Sequence, residues 1–184
     1  MITNLYLVRH AHSTYTPDEL GRPLSNKGYT DAKTVAEILL KEKIDYVVSS
    51  PYKRAIQTVE ELAKSLNKEI KLDENFKERL LSSEPVEDFE FVISEVWKDF
   101  NRSWNDGESN NMAQKRGIEA TKNLLKNYCG KNIVIGTHGN IMVLIMNFFD
   151  QKYDYDFWNE LAMPDIYKLT FDGETLIEVN RIWS

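Results

Sequence analysis

Leu5-Tyr6-Leu7-Val8-Arg9-His10-Ala11-His12-Ser13 divides into two unlike halves. Leu5 to Val8 are apolar or aromatic with no charge among them, the pattern of a strand buried on both faces. Arg9 to Ser13 then bring a guanidinium, two imidazoles and a hydroxyl. A buried strand therefore runs straight into a polar cluster. In open α/β sheets, ligands bind just beyond the carboxyl ends of such strands.

The chain on either side of this stretch supports the same architecture. After the strand, about Ile2 to Arg9, a loop runs from Thr14 to Pro23. Ser25 then caps a helix to about Lys41, with Tyr29, Ala32, Val35, Ala36, Leu39 and Leu40 at helical spacing. Ile44 to Val48 is a short strand ending at Ser49-Ser50-Pro51, Tyr52 to Leu66 an amphipathic helix, and Glu69 to Leu72 a further short strand. The order β-α-β-α-β is that of a largely parallel sheet with helical crossovers.

Between Asp73 and Asn110 the alternation stops. Val86 to Trp104 reads as a helical stretch, with Phe89, Trp97, Phe100 and Trp104 as its own core and its acids as a solvated face. Residues 82–110 are accordingly expected to form an inserted lid lobe. Ser109 caps a helix to about Tyr128, weakened by Gly117. Asn132 to Thr137 is a second central strand and ends at Thr137-His138-Gly139-Asn140, followed by an apolar helix, Ile141 to Phe149. Ile166 to Phe171 and Thr175 to Trp183 form a hairpin around Asp172-Gly173. The expected fold class is α/β: a three-layer α/β/α domain spanning 1–184, with a mainly parallel central sheet, a helical lobe over the site and an antiparallel edge hairpin.

Composition narrows the function. The 184 residues are 42% hydrophobic, enough for a sizeable core, and the net charge of −6 opposes nucleic acid or anionic membrane as partners. The lone Cys129 forms no internal disulfide and reads as an inert buried thiol near the start of the second central strand. Neither a signal peptide nor a membrane span is evident, so the expected location is cytoplasmic. Oligomeric state is not readable from the sequence.

All three histidines of the chain, His10, His12 and His138, lie just past the end of a predicted buried strand. Arg9 and Arg54 are suited to grip a phosphoryl group by paired hydrogen bonds, and backbone N–H groups of Gly139 and Asn140 at a helix start would add donors. Neighbouring cations would keep His10 neutral and nucleophilic, so that attack on phosphorus gives a phosphohistidine. His138 would stabilise charge on the phosphoryl oxygens. A carboxyl group must protonate the leaving oxygen; Glu78 is the candidate, with Glu84 and Glu108 as alternatives. His12 is either a solvated residue at the mouth or a substrate contact. His10, His12 and His138 could also ligate a metal, but Arg9 opposes a cation there and no carboxylate motif accompanies them. No metal or cofactor is expected.

These residues resemble the histidine phosphatase superfamily, which includes cofactor-dependent phosphoglycerate mutases. The likeness rests on Leu7-Val8-Arg9-His10-Ala11, Pro23-Leu24-Ser25-Asn26-Lys27-Gly28, Ser49-Ser50-Pro51 with Arg54, Ala55 and Gln57-Thr58, Gly107-Glu108-Ser109, and Thr137-His138-Gly139. It implies His10 as the phosphorylated residue, Arg9, Arg54 and His138 as the phosphate pocket, and Glu78, within Phe76-Lys77-Glu78-Arg79, as the proton donor. Departures from the family pattern are Ala11 for the usual Gly, His12, Thr16, and the missing Gly and aromatic residues after Arg79.

The expectation is a metal-independent phosphatase acting on a small phosphorylated substrate. The alternatives are a phosphoglycerate-type mutase, for which the acidic lobe lacks paired arginines, and a catalytically silent phospho-ligand binder.

Overall fold

The computed structural model describes residues 1–184. Six strands, β1 (Ile2–Arg9), β2 (Tyr46–Ser49), β3 (Ile70–Leu72), β4 (Asn132–Thr137), β5 (Asp165–Asp172) and β6 (Thr175–Arg181), form one sheet in the order β3-β2-β4-β1-β5-β6. The β3, β2, β4 and β1 neighbours run parallel, and β5 and β6 are antiparallel. The expected mainly parallel sheet with an antiparallel edge hairpin is therefore present.

The helices are α1 (Asn26–Leu39), α2 (Lys53–Ser65), α3 (Phe89–Lys98), α4 (Asn110–Asn127), α5 (Gly139–Phe149) and α6 (Tyr155–Asn159). Side chains of β1 alternate between two cores, as the pleat requires. Leu5 and Leu7 join Ile133 and Ile135 beneath α4 and α5, while Tyr6 and Val8 join Val47 and Val134 beneath α1 and α2. Ser25 and Ser109 cap α1 and α4 as expected, accepting from the N–H groups of Gly28 (3.1 Å) and Met112 (3.2 Å).

Helix α4 runs unbroken through Gly117. A Cβ there would meet Ile145 Cγ1 at 2.9 Å, so its missing side chain lets α4 and α5 close together. The lobe is less helical than expected. Only Phe89–Lys98 is helix, because Asp88 caps its start (Phe91 N–H, 3.0 Å) and Asp99 turns to extended backbone at its end. Val92, Ile93, Val96 and Trp97 are buried, but Phe89 remains 50% exposed and is not part of the lobe's core. Cys129 is exposed rather than buried, since it lies in the turn after α4 and before β4 begins. No helix is long and apolar enough to cross a membrane.

Candidate active site

Three strands end side by side and deliver the site. Arg9 stands opposite Thr137 across the β1–β4 pair, and Ser49 opposite Gly136 across β2–β4. The residues that follow these strands, His10, His138 and Ser50, are therefore neighbours. The His10 and His138 rings lie 5.2 Å apart, edge to face. The apolar runs that make the strands buried are what carry these polar residues into the interior.

His10 is buried, and its Nδ1 lies 2.7 Å from the Ala11 carbonyl oxygen. A carbonyl can only accept, so Nδ1 carries the hydrogen and the neutral ring keeps its lone pair on Nε2. Burial, reinforced by Arg54, Arg9 and Arg22, pushes the His10 pKa down from 6.5 to about 3. Ala11 does not adopt positive φ, so its replacement of glycine needs no special backbone. Its N–H donates to Thr58 Oγ1 (2.9 Å), which in turn donates to the Arg54 carbonyl (2.7 Å), tying the His10 loop to α2.

His138 is fully buried, with Nε2 2.8 Å from Ser50 Oγ and Nδ1 without a partner. Burial, then His10, Arg54, Arg116 and Arg9, hold its pKa well below 6.5. Arg9 donates through one terminal nitrogen to the carbonyls of Leu161 and Ala162 (both 3.2 Å), while its buried Nε has no partner. Those carbonyls are steadied by buried Asp165, which accepts from the Ala162 N–H (2.9 Å). Gly139 is the surface on which Arg9 rests: a Cβ there would stand 3.0 Å from Arg9 Nε. Arg54, in the first turn of α2, stacks its guanidinium over the Tyr52 ring at 4.9 Å.

Glu78 joins this group, and its place corrects one expectation. Its carboxylate accepts the N–H groups of Asn140 (3.0 Å) and Ile141 (3.0 Å) as well as that of Arg79 (2.8 Å). The Asn140 N–H is thus committed to Glu78 and is not a phosphate donor; the Gly139 N–H has no protein acceptor. The electrostatic reach of Glu78 includes Arg9 and Arg54. Of the alternative acids, Glu108 is locked in a two-pronged pair with Arg116 (2.7 and 2.8 Å), and Glu84 lies exposed on the lobe.

His12 is exposed at the rim, its Nδ1 2.8 Å from Ser25 Oγ, the α1 cap. Two residues of the loop after β1 were not singled out by the sequence reading. Arg22 acts electrostatically on His10, and Glu19 pairs with both Arg22 (2.8 Å) and Arg54 (3.1 Å). The only signal for Arg22 was a cation immediately before Pro23-Leu24-Ser25. No group of three or more His, Cys, Asp or Glu stands together in a way that could hold a metal ion.

The model of the histidine phosphatase superfamily (branch 1) matches residues 5–181. The chain belongs to that superfamily. Among its superfamily relatives is a metal-independent phosphoserine phosphatase of Arabidopsis thaliana, 26% identical over 216 residues covering 94% of this chain and 89% of that protein. The phosphoglycerate mutase-like protein 4 of the same plant is 29% identical over 154 residues, 75% of this chain and 67% of that one. A solved phosphoserine phosphatase of Entamoeba histolytica, in complex with 3-phosphoglyceric acid, superposes with a TM-score of 0.81 at 20% identity, covering 99% and 98% of the two chains. At that identity the likeness shows the histidine phosphatase fold.

Proposed function

We propose that the protein is a metal-independent phosphatase that hydrolyses small phosphomonoesters through a phosphohistidine at His10. The observation that carries this reading is the Nδ1 contact of His10 with the Ala11 carbonyl at 2.7 Å, which leaves Nε2 as a lone-pair donor beside His138 and three arginines. Arg9, Arg54, His138 and the Gly139 N–H would hold the phosphoryl oxygens, and Nε2 would attack phosphorus. As the P–N bond forms, the ester P–O bond breaks and Glu78 supplies the proton to the leaving oxygen. Water then attacks the phosphohistidine and gives a proton back to Glu78, releasing phosphate and free His10.

Residues 82–110 serve on this reading as the lid lobe of a single 1–184 domain. Their attachment to the site supports that role: Trp97 Nε1 donates to Asn140 Oδ1 (3.1 Å), and the Glu108 N–H donates to the Leu80 carbonyl (2.7 Å). The lobe's cations favour hydrolysis over mutase chemistry. Lys98 and Arg102 are both paired with Glu95 (2.7 and 2.8 Å), which leaves little to hold the second phosphate of a bisphosphorylated intermediate. The relatives' names make phosphoserine and phosphoglycerate the first substrates to try, in a cytoplasmic setting.

The test is hydrolysis of an aryl phosphate with and without chelator, in the wild type and in His10→Ala. Activity that survives chelation and is lost with His10 supports the proposal; loss on chelation, or full activity in His10→Ala, contradicts it.

A further inference from the structure

The loop between β1 and α1 is closed on itself at both ends. Its base is clipped by the bridge between Ser13 and Leu24 and by the Thr14 N–H to Pro23 carbonyl bond of 2.9 Å. Its far side is held by the Leu20 carbonyl, which accepts from the Lys53 N–H (2.9 Å), and through Glu19. The Glu19 carbonyl accepts from Arg54 Nη1 (2.8 Å), one carboxylate oxygen from Arg54 Nη2 (3.1 Å) and the other from Arg22 Nη2 (2.8 Å). Arg22 Nη2 gives its second hydrogen to the Thr16 carbonyl (3.0 Å).

This arrangement is unequal in a telling way. The Arg54 side chain is 6% exposed, whereas that of Glu19 is 58% exposed, so a buried guanidinium is partnered by a carboxylate that reaches in from solvent. Arg54 and Arg22 are two of the three cations that act on the His10 ring. Both terminal nitrogens of Arg54 spend a hydrogen on Glu19, and Arg22 Nη2 has none left. An anion that is to use these same hydrogens of Arg54 and Arg22 beside His10 must take the place Glu19 now fills.

We propose that Glu19 is a specificity-determining residue, an internal competitor that a substrate phosphoryl group must displace from Arg54 and Arg22. The inference rests on the phosphatase reading for the identity of the anion. A carboxylate tethered to the loop holds a high effective concentration at the arginines with one negative charge. A phosphomonoester near neutral pH carries between one and two charges on three oxygens, and can span both guanidiniums more strongly. A phosphodiester, with a single charge, has no such advantage. Glu19 would thus admit monoesters, discourage diesters, and on its displacement loosen the part of the 14–23 loop between its fixed base and Leu20.

The experiment is calorimetric titration of the full-length protein with inorganic phosphate at fixed ionic strength, in the wild type, Glu19→Gln and Glu19→Asp, with amide exchange of residues 14–23 followed alongside. Glu19→Gln should bind phosphate about three- to tenfold more tightly, since exposed ion pairs contribute modestly. It should also become susceptible to inhibition by diphenyl phosphate. Glu19→Asp keeps the charge but loses a methylene of reach, so it should follow Glu19→Gln. Phosphate should speed exchange in the wild-type loop. If the wild type binds phosphate and Glu19→Gln binds it no better, if Glu19→Asp behaves as wild type, or if phosphate leaves loop exchange unchanged or slower, the competitor role is wrong. Binding to none of the three proteins would instead overturn the phosphate pocket itself, and the inference with it.

Discussion

Glu78 caps the helix that His138 opens. Helix α5 begins at Gly139 with no cap from the His138 side chain, and the carboxylate arrives from 62 residues earlier in the chain to accept the Asn140 N–H at 3.0 Å. The His138 ring is thereby left to face His10, and one carboxylate is held between the positive end of α5 and the pocket arginines. Arg79, the next residue, is buried and reaches the same helix through Asn140 Oδ1 (3.3 Å), so the Glu78-Arg79 pair is pinned on both sides.

A proton donor and a helix cap can be separated by the leaving group. Glu78→Gln should lower kcat about 10²- to 10⁴-fold for an alkyl phosphate, whose alkoxide needs a proton, and far less for a p-nitrophenyl ester. Parallel hydrolysis of the two substrates checks this. An equal loss on both would assign Glu78 to capping alone.

The contact of Arg9 with Gly139 predicts that even one methyl group matters. In Gly139→Ala the new Cβ would meet Arg9 Nε at 3.0 Å and both Cζ and Nη2 at 3.2 Å, so the guanidinium must shift by a few tenths of an ångström. The expected result is a KM raised about three- to tenfold with the melting temperature nearly unchanged. Steady-state kinetics and thermal unfolding together decide it.

Much of this site could be read before the fold was known, for a physical reason. Leu5 to Val8 and Ile133 to Ile135 are uninterrupted apolar runs, and such runs make buried strands whose ends are pinned by the sheet. His10 and His138 are then neighbours by register alone. Arg54 followed because it opens the helix after β2. The pairing of Glu19 with Arg22 and Arg54 was not legible, since it depends on the path of a loop with no periodic pattern. The same holds for α3, whose ends are set by Asp88 and Asp99 among several acids of equal appearance. Nothing local shows that a distant carboxylate takes the Asn140 N–H, so the sequence alone offers that group to phosphate. The exposure of Cys129 is equally hidden, because nothing in the sequence marks that the chain stays outside through Lys131 before β4 begins at Asn132.

Acid should destabilise the fold through its two site histidines. His10 has its pKa depressed from 6.5 to about 3 by burial and neighbouring cations, and His138 is depressed likewise. The unfolded chain binds protons near pH 6.5 that the folded chain does not, so stability is lost as pH falls below that value. The loss is about 1.4 kcal/mol per pH unit for each group, until the folded pKa is reached. Urea unfolding at pH 7.5, 6.0 and 5.0 should show this decline. His10→Asn, lacking one of the two groups, should show a shallower one.

Trp97 joins the lobe to α5. Trp97→Phe removes the Nε1–H bond to Asn140 Oδ1, which still accepts from Arg79. A cost of about 1 kcal/mol in urea unfolding is expected, with a change in the relative rates for large and small phosphomonoesters as the lobe loosens. Unchanged stability and unchanged relative rates would detach the lobe from the site.

The central claim is a covalent bond between phosphorus and His10 Nε2. Its most direct measurement is rapid quenching of the wild type during turnover of an aryl phosphate, followed by digestion and mass spectrometry of the peptide that contains Leu5 to Ser13. The account predicts that this peptide gains the mass of one phosphoryl group on His10, with a burst of phenol released in equal amount. Full turnover with His10 never modified would contradict it.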